Sequence, residues 1–245
     1  MKNYLITIEY DGTAYHGWQR QKNDATVQAE IERALAVMTR ETIVVNGSGR
    51  TDAGVHALAQ TANFKSGAGL SPQAFRMGLN SLLNGDIVIR DCRTVADAFH
   101  ARYDARGKVY RYRIWNDSLP TAIERRYVWH IRSELDFYAM QKAAALTIGE
   151  HDFRAFEGAG SPRSTTVRRV TRAELARDLS GNIRFTIEAD GFLRYMVRNI
   201  VGTLVDVGRS RMRPEDFKTV LESRDRAQAG ATAPPQGLYL VKVVY

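Results

Sequence analysis

The chain has 245 residues, enough to bury a substantial core as one large domain or two small ones. With 44% hydrophobic and 25% charged residues it falls outside the disordered and fibrous classes. The 35 Lys and Arg against 27 Asp and Glu give a net charge of +8, which favours a polyanionic partner, nucleic acid first, although an indifferent basic surface satisfies the same count.

Tyr4 to Tyr10 alternates like a strand and ends at Asp11-Gly12. Val27, Ile31, Leu35 and Met38 follow helical spacing, with Thr26 as the expected N-cap. Ile43 to Val45 and Ala57 to Phe64 read as strands on either side of a glycine-rich turn. Ser71-Pro72 opens a second helix with Phe75, Leu79, Leu82 and Leu83 inward, and Asp86 to Val95 closes the half as a strand. The order is β-α-β-β-α-β, the ferredoxin-like arrangement.

The second half repeats the order. Lys108 to Trp115 reads as a strand, Ser133 and Asp136 cap a helix reaching Ile148, and strands follow at Val167 to Asp178 and Ile183 to Ala189. An apolar helix runs from Phe192 to Val207, a short helix from Pro214 to Ser223, and "GLYLVKVVY" supplies the final strand. "RAQAGATAPPQG" reads as a linker-like loop inside the domain. The expected fold is α+β: two ferredoxin-like domains, 1–104 and 105–245, with antiparallel sheets flanking a central active-site cleft. The hairpin carrying Asp52 is expected at that cleft.

In "NGSGRTDAGVHA" one carboxylate, Asp52, sits among Gly47, Gly49 and Gly54, with Arg50 beside it and His56 beyond. On the strand after Gly107, Lys108, Tyr110, Tyr112 and Ile114 share one face, and Arg111, Arg113 and Trp115 the other. Interleaved rings and cations suit bases and phosphates, and ordinary strand chemistry explains them equally well. "AFHARYDARGK" and "SPRSTTVRRVTR" add His100, Arg102, Arg106 and Arg163, Arg168, Arg169 as footholds for phosphates, or as solvated faces. Arg198 falls in the middle of the apolar helix; it either pairs with a carboxylate, Asp52 being a candidate, or snorkels to the surface. Cys92 is the only cysteine and the five histidines are scattered, so no disulfide or metal site is expected. The opening residues lack the apolar run of a signal peptide and no stretch is long enough to span a membrane, so a cytoplasmic protein is expected.

Taken together, "YDGTAYHGWQRQ", "GSGRTDAGVHA", "FHARY…KVYRYRIWN", "GFLRYMVRNIVGTL" and "GLYLVKVVY" resemble, in this order, the tRNA pseudouridine synthase A family. The resemblance implies isomerisation of uridine to pseudouridine in the anticodon stem-loop of tRNA, at about positions 38 to 40, by a cofactor-free homodimer that flips its target base. It implies Asp52 as the catalytic carboxylate, Tyr110 stacking on the base, Arg198 pairing with the aspartate, and Arg50 filling the vacated stack. His56 is expected to be structural. RNA contacts are expected at Phe99, His100, Ala101, Arg102 and Tyr103, and at Arg163, Arg168 and Arg169. Whether the aspartate attacks C1′, attacks the uracil ring or removes a C2′ proton stays open. Two other classes stay open on the residues alone. A silent RNA-binding module explains the charge but not the glycine-bound Asp52 or Arg198. A metal-dependent nuclease needs clustered carboxylates, which the Asp52 motif lacks.

Overall fold

The computed structural model describes residues 1–160 and 165–245. It is a mixed α+β protein with ten strands and five α-helices among those residues. The chain divides into two compact units, one made of Met1–Arg106 with Tyr239–Tyr245, the other of Gly107–Leu238.

In the first unit β1 (Lys2–Tyr10) pairs antiparallel with both β3 (His56–Ser66) and β4 (Ile87–Val95). Helices α1 (Val27–Thr39) and α2 (Pro72–Leu82) supply Ile31, Leu35, Phe75 and Leu79 to a core with Tyr4, Ile6, Ile8 and Phe64. The Tyr4 ring lies 5.4 Å from Phe64 and 4.7 Å from Phe75, which gives this apolar layer specific aromatic packing. Ser71 caps α2 as its sequence predicts, its hydroxyl accepting from Ala74 N at 3.1 Å. Thr26 stands at the N-cap of α1, but its buried hydroxyl makes no hydrogen bond.

The expected strand at Ile43 to Val45 does not form. Only β2 (Asn46–Gly47) pairs there, antiparallel to β3. The reason lies in α1, whose side chains take over the ladder: Val45 N donates to Glu32 Oε1 at 3.0 Å, and Val45 O accepts from Gln28 Nε2 at 3.1 Å. A backbone satisfied in this way has no need of a neighbouring strand. Strand β10 (Leu238–Val244) forms where the final strand is expected, and within the first unit its Tyr239 and Leu240 pair in parallel with His56 and Ala57 of β3 while Arg106 N donates to Val244 O at 2.8 Å.

In the second unit β5 (Gly107–Asn116), β9 (Asn182–Ala189), β8 (Val167–Arg177) and β7 (Gly149–Asp152) pair antiparallel in that order. A short β6 (Trp129–Ile131) runs parallel to the end of β5. Neither β6 nor β7 shows in the sequence pattern, each being too short to establish a period. Helix α3 (Phe137–Ala145) is capped by Asp136 alone, Oδ1 accepting from Ala139 N at 2.9 Å, while the Ser133 carbonyl serves Asn116. Helix α4 (Met196–Gly208) is buried nearly all round, and α5 (Asp216–Ser223) follows it. Helix α4 starts four residues later than its apolar run because Tyr195 takes a left-handed conformation, φ 61°, and the Arg194 carbonyl accepts from Gly158 N at 2.8 Å. No helix among the described residues is long and apolar enough to cross a membrane.

Replacing Glu32 by Ala should strip the buried Val45 N–H and the Gln28 amide of their acceptor. The expected cost is about 2 to 3 kcal/mol in urea unfolding. An unchanged midpoint would mean that water replaces the carboxylate and that α1 does not hold this segment.

Candidate active site

The turn that carries Asp52 is built by two segments some forty residues apart in the chain. Trp18 N donates to Thr51 O at 3.1 Å, Gly54 N to Tyr15 O at 3.3 Å, and Gly12 N to His56 Nδ1 at 3.1 Å. Inside the turn Val55 N donates to Asp52 O at 3.2 Å, and Gly54 sits at φ 77°. This main-chain clasp is possible only where side chains are missing. A Cβ on Gly12 would run into the Val55 carbonyl, and one on Gly17, already at φ 90°, would lie 2.5 Å from Thr51 O. A Cβ on Gly47 would collide with the Trp18 ring. The Gly49 carbonyl accepts from Gln60 Nε2 at 3.0 Å. The signal that sequence reading missed is in "YDGTAYHGW", whose glycines are the partners of the turn.

Buried polar side chains lock the clasp. The Tyr10 hydroxyl shares a 2.7 Å hydrogen bond with Thr51 Oγ1, and burial pushes its pKa up, so it stays a neutral partner. A register shift between β1 and β3 beyond Ile8 delivers Tyr10 to this place. Ser48 Oγ and Gln60 Oε1 close the other leg at 2.6 Å. His56 is buried; its Nδ1 faces both Gly12 N and, at 3.0 Å, Asp11 Oδ1, and its ring stacks 4.9 Å from Tyr239. Asp52 itself is half-buried and Arg50 is exposed.

The "FHARY" segment forms a loop pinned to the face of the first sheet opposite its helices. Asn3 Nδ2 donates to Phe99 O at 2.9 Å, Ala101 N to Asn63 Oδ1 at 2.8 Å, and Tyr245 OH to Ala101 O at 2.9 Å. Ala101 is thereby buried and Phe99 rests on the Tyr245 ring at 5.1 Å. At its apex His100 and Tyr103 have their rings 4.3 Å apart, Arg102 lies 5.8 Å from the Tyr103 ring, and Tyr103 is 75% exposed. Anchored carbonyls and an exposed ring-and-cation tip are what a contact loop requires.

In the second unit Tyr110 is 8% exposed and meets Phe192 edge-on at 4.9 Å. Tyr112, on the same face of β5, is core, while Arg113 pairs with Glu124 at 2.6 Å. That part of the strand is thus ordinary packing. Arg198 is half-buried: Nε donates to Ala233 O at 2.7 Å, and the guanidinium lies 4.9 Å from the Tyr195 ring. Arg194 lies 4.8 Å from the same ring. Arg168 and Arg169 stand at the start of β8, opposite His151 and Glu150, and Arg169 N is held by Asp190 Oδ1 at 3.1 Å. Arg163 lies outside the described residues. Among the described residues no three His, Cys, Asp or Glu side chains gather as a metal-binding group.

The chain matches the sequence profile described as tRNA pseudouridine synthase over residues 6–104 and 143–245. Asp52 and Arg198 fall inside the matched segments and Tyr110 between them. It is 49% identical over 245 residues, the whole of both chains, to the tRNA pseudouridine synthase A of Acetivibrio thermocellus. Identity to the proteins of that name from Caldicellulosiruptor bescii and Thermoanaerobacter sp. is 48% and 46%, again over the whole of both chains.

The clasp makes a comparison between two glycines informative. Gly17→Ala should cost about 1 to 3 kcal/mol from its φ alone, with the clash on Thr51 added. Gly69, at φ 72° with nothing within 4 Å of its missing Cβ, isolates the first of these effects. Thermal unfolding should therefore show Gly17→Ala clearly below Gly69→Ala; equal losses would mean that the close approach carries no strain.

Proposed function

Because the chain belongs to the tRNA pseudouridine synthase family, and is thus an isomerase that converts uridine to pseudouridine, we propose that it acts in the anticodon stem-loop of tRNA with Asp52 as its essential carboxylate. The observation that carries this reading is the main-chain clasp around Thr51, Asp52 and Gly54. It spends three glycines and several buried hydrogen bonds on the position of a single acid. The reaction breaks N1–C1′, turns the uracil and joins C5 to C1′, while C5 loses a proton and N1 gains one. It is redox-neutral, and one rigidly held acid acting at the sugar or the ring is the group it needs.

Tyr110 is assigned to stacking on the base; its buried ring, braced by Phe192, has a fixed plane to offer. Arg198 is assigned the cationic role in the same reaction. A paired uridine must leave its helix at a cost of roughly a few kcal/mol, and exposed Arg50 is assigned to filling the vacated place. The RNA path is assigned to the "FHARY" loop, Phe99 to Tyr103, and to Arg163, Arg168 and Arg169. A duplicated ferredoxin-like fold, domains at 1–104 and 105–245, a homodimer and a cytoplasmic setting complete the reading. The duplication is supported by the strand orders β4-β1-β3-β2 and β5-β9-β8, each with helices joining its strands.

Asp52→Asn keeps the shape and removes the charge. The purified variant should bind tRNA within about twofold of the parent and release no tritium from [5-³H]uridine-labelled tRNA, with the RNA intact. Appreciable release would take Asp52 out of its role, and shortened RNA would point to a nuclease.

Phosphate contacts make affinity fall with salt through counterion release. Arg102→Ala and Arg169→Ala should each flatten the slope of log K against log salt by about one. Arg50→Ala should in addition slow paired uridines more than unpaired ones. Unchanged slopes would place the loops off the RNA path, and equal slowing would take Arg50 out of base extrusion.

A further inference from the structure

The "RAQAGATAPPQG" segment, a linker by composition, is in fact fastened along helix α4. Arg226 Nη2 donates to Asn199 Oδ1 and to Thr232 Oγ1, both at 3.1 Å, and Thr232 Oγ1 donates to the same Asn199 oxygen at 2.6 Å. Gly230 N donates to Thr203 Oγ1 at 2.9 Å. Further along, Ala233 N donates to Arg198 O at 3.1 Å, and the Tyr112 hydroxyl donates to Pro234 O at 2.6 Å. Between these bonds the Ala231 carbonyl presses onto Gly202 so closely that a Cβ there would overlap it. Asn199, Gly202 and Thr203 thus form a rail on an otherwise apolar helix. Asn199 and Thr203 are fully buried. Asn199 also ties the rail to the core, its Nδ2 donating to Phe156 O at 2.8 Å.

Such a rail is costly unless its polar groups are met, and here the strap, together with the Phe156 carbonyl, meets them. Its far end is the Ala233 carbonyl that accepts from Arg198 Nε. A bond to Nε sets the plane and direction of the whole guanidinium, and the Tyr195 ring braces that plane at 4.9 Å. The strap's seating on Gly202 and Asn199 therefore decides where Arg198 points.

We infer that the 226–237 strap is a positioning element for Arg198, with Gly202, Asn199 and Thr232 as positioning residues that act on the reaction through the Ala233 carbonyl. The inference rests on the catalytic assignment of Arg198. Reactions governed by placement lose about a hundredfold for a shift near 1 Å, so the strap matters to rate while it has no part in gripping RNA.

The test measures single-turnover tritium release from [5-³H]uridine-labelled tRNA beside filter-binding affinity for the same tRNA. Gly202→Ala, which lifts the strap, should slow release about a hundredfold with affinity kept within about twofold. Thr232→Val, exposed and nearly isosteric, should slow release about threefold to tenfold through the loss of its hydroxyl's two hydrogen bonds, to Asn199 and from Arg226, and it decides alone if Gly202→Ala does not fold. In Arg198→Lys, which has no Nε, adding Thr232→Val should cost nothing more. Strap variants that keep the full rate with Arg198 intact while Arg198→Lys alone is slow, or the same Thr232→Val factor in both backgrounds, would overturn the inference and leave Arg198 its role. A full-rate Arg198→Lys would instead overturn the assignment of Arg198, and the strap's route with it.

Discussion

The first unit depends on a contact between two stretches of bare backbone. Residues 12 to 18 and 51 to 56 approach until peptide groups bond across the gap, and only glycine at 12 and 17 leaves room for that. Everything near Asp52 inherits its precision from this approach. The Tyr10–Thr51 bond, the packing of Trp18 against Gly47 and the bond from Gly12 N to His56 all presuppose backbones already in contact. A carboxylate on a free loop would trade its position for conformational entropy; here the loop's orphan donors and acceptors are spent on a neighbour.

Helix α4 solves a different problem with the same chemistry. A helix buried nearly all round usually carries no polar groups in its middle, because each must find a partner out of reach of water. Asn199 and Thr203 find theirs in a loop 27 to 33 residues further along the chain, and in doing so they turn an irregular segment into a fixed one. The left-handed Tyr195 at the head of the helix belongs to the same construction: its ring packs on Gly158 and lies within 4.9 Å of the guanidinium groups of both Arg194 and Arg198. A non-glycine residue at φ 61° costs free energy that its surroundings must offset.

The basic surface acquires meaning through such anchoring. A net charge of +8 spread over mobile side chains attracts any polyanion. The "FHARY" loop is different, since its carbonyls and amides are tied to Asn3, Asn63 and Tyr245 and only its tip faces solvent. Arg113 and Arg172 are spoken for by Glu124 and Glu174, so composition alone overstates the free positive charge.

Local pattern was enough for the regular elements with a full period: β1, α1, α2, β5, β8, β9 and the body of α4, where apolar spacing and a cap or turn residue agree. The family motifs likewise marked Asp52, Tyr110 and Arg198 as residues to examine. Tertiary structure decided what depends on partners distant in the chain. Val45 is no strand because Glu32 and Gln28 reach it first, and β10 joins the first unit because β3 offers it an edge at His56 and Ala57. Helix α4 starts late because Gly158 takes a carbonyl that its ladder would have used. Gly12 and Gly17 hold the turn, and the apparent linker is a strap. In each case the sequence specifies a donor, an acceptor or a missing side chain, and only the folded chain says which distant backbone comes to meet it.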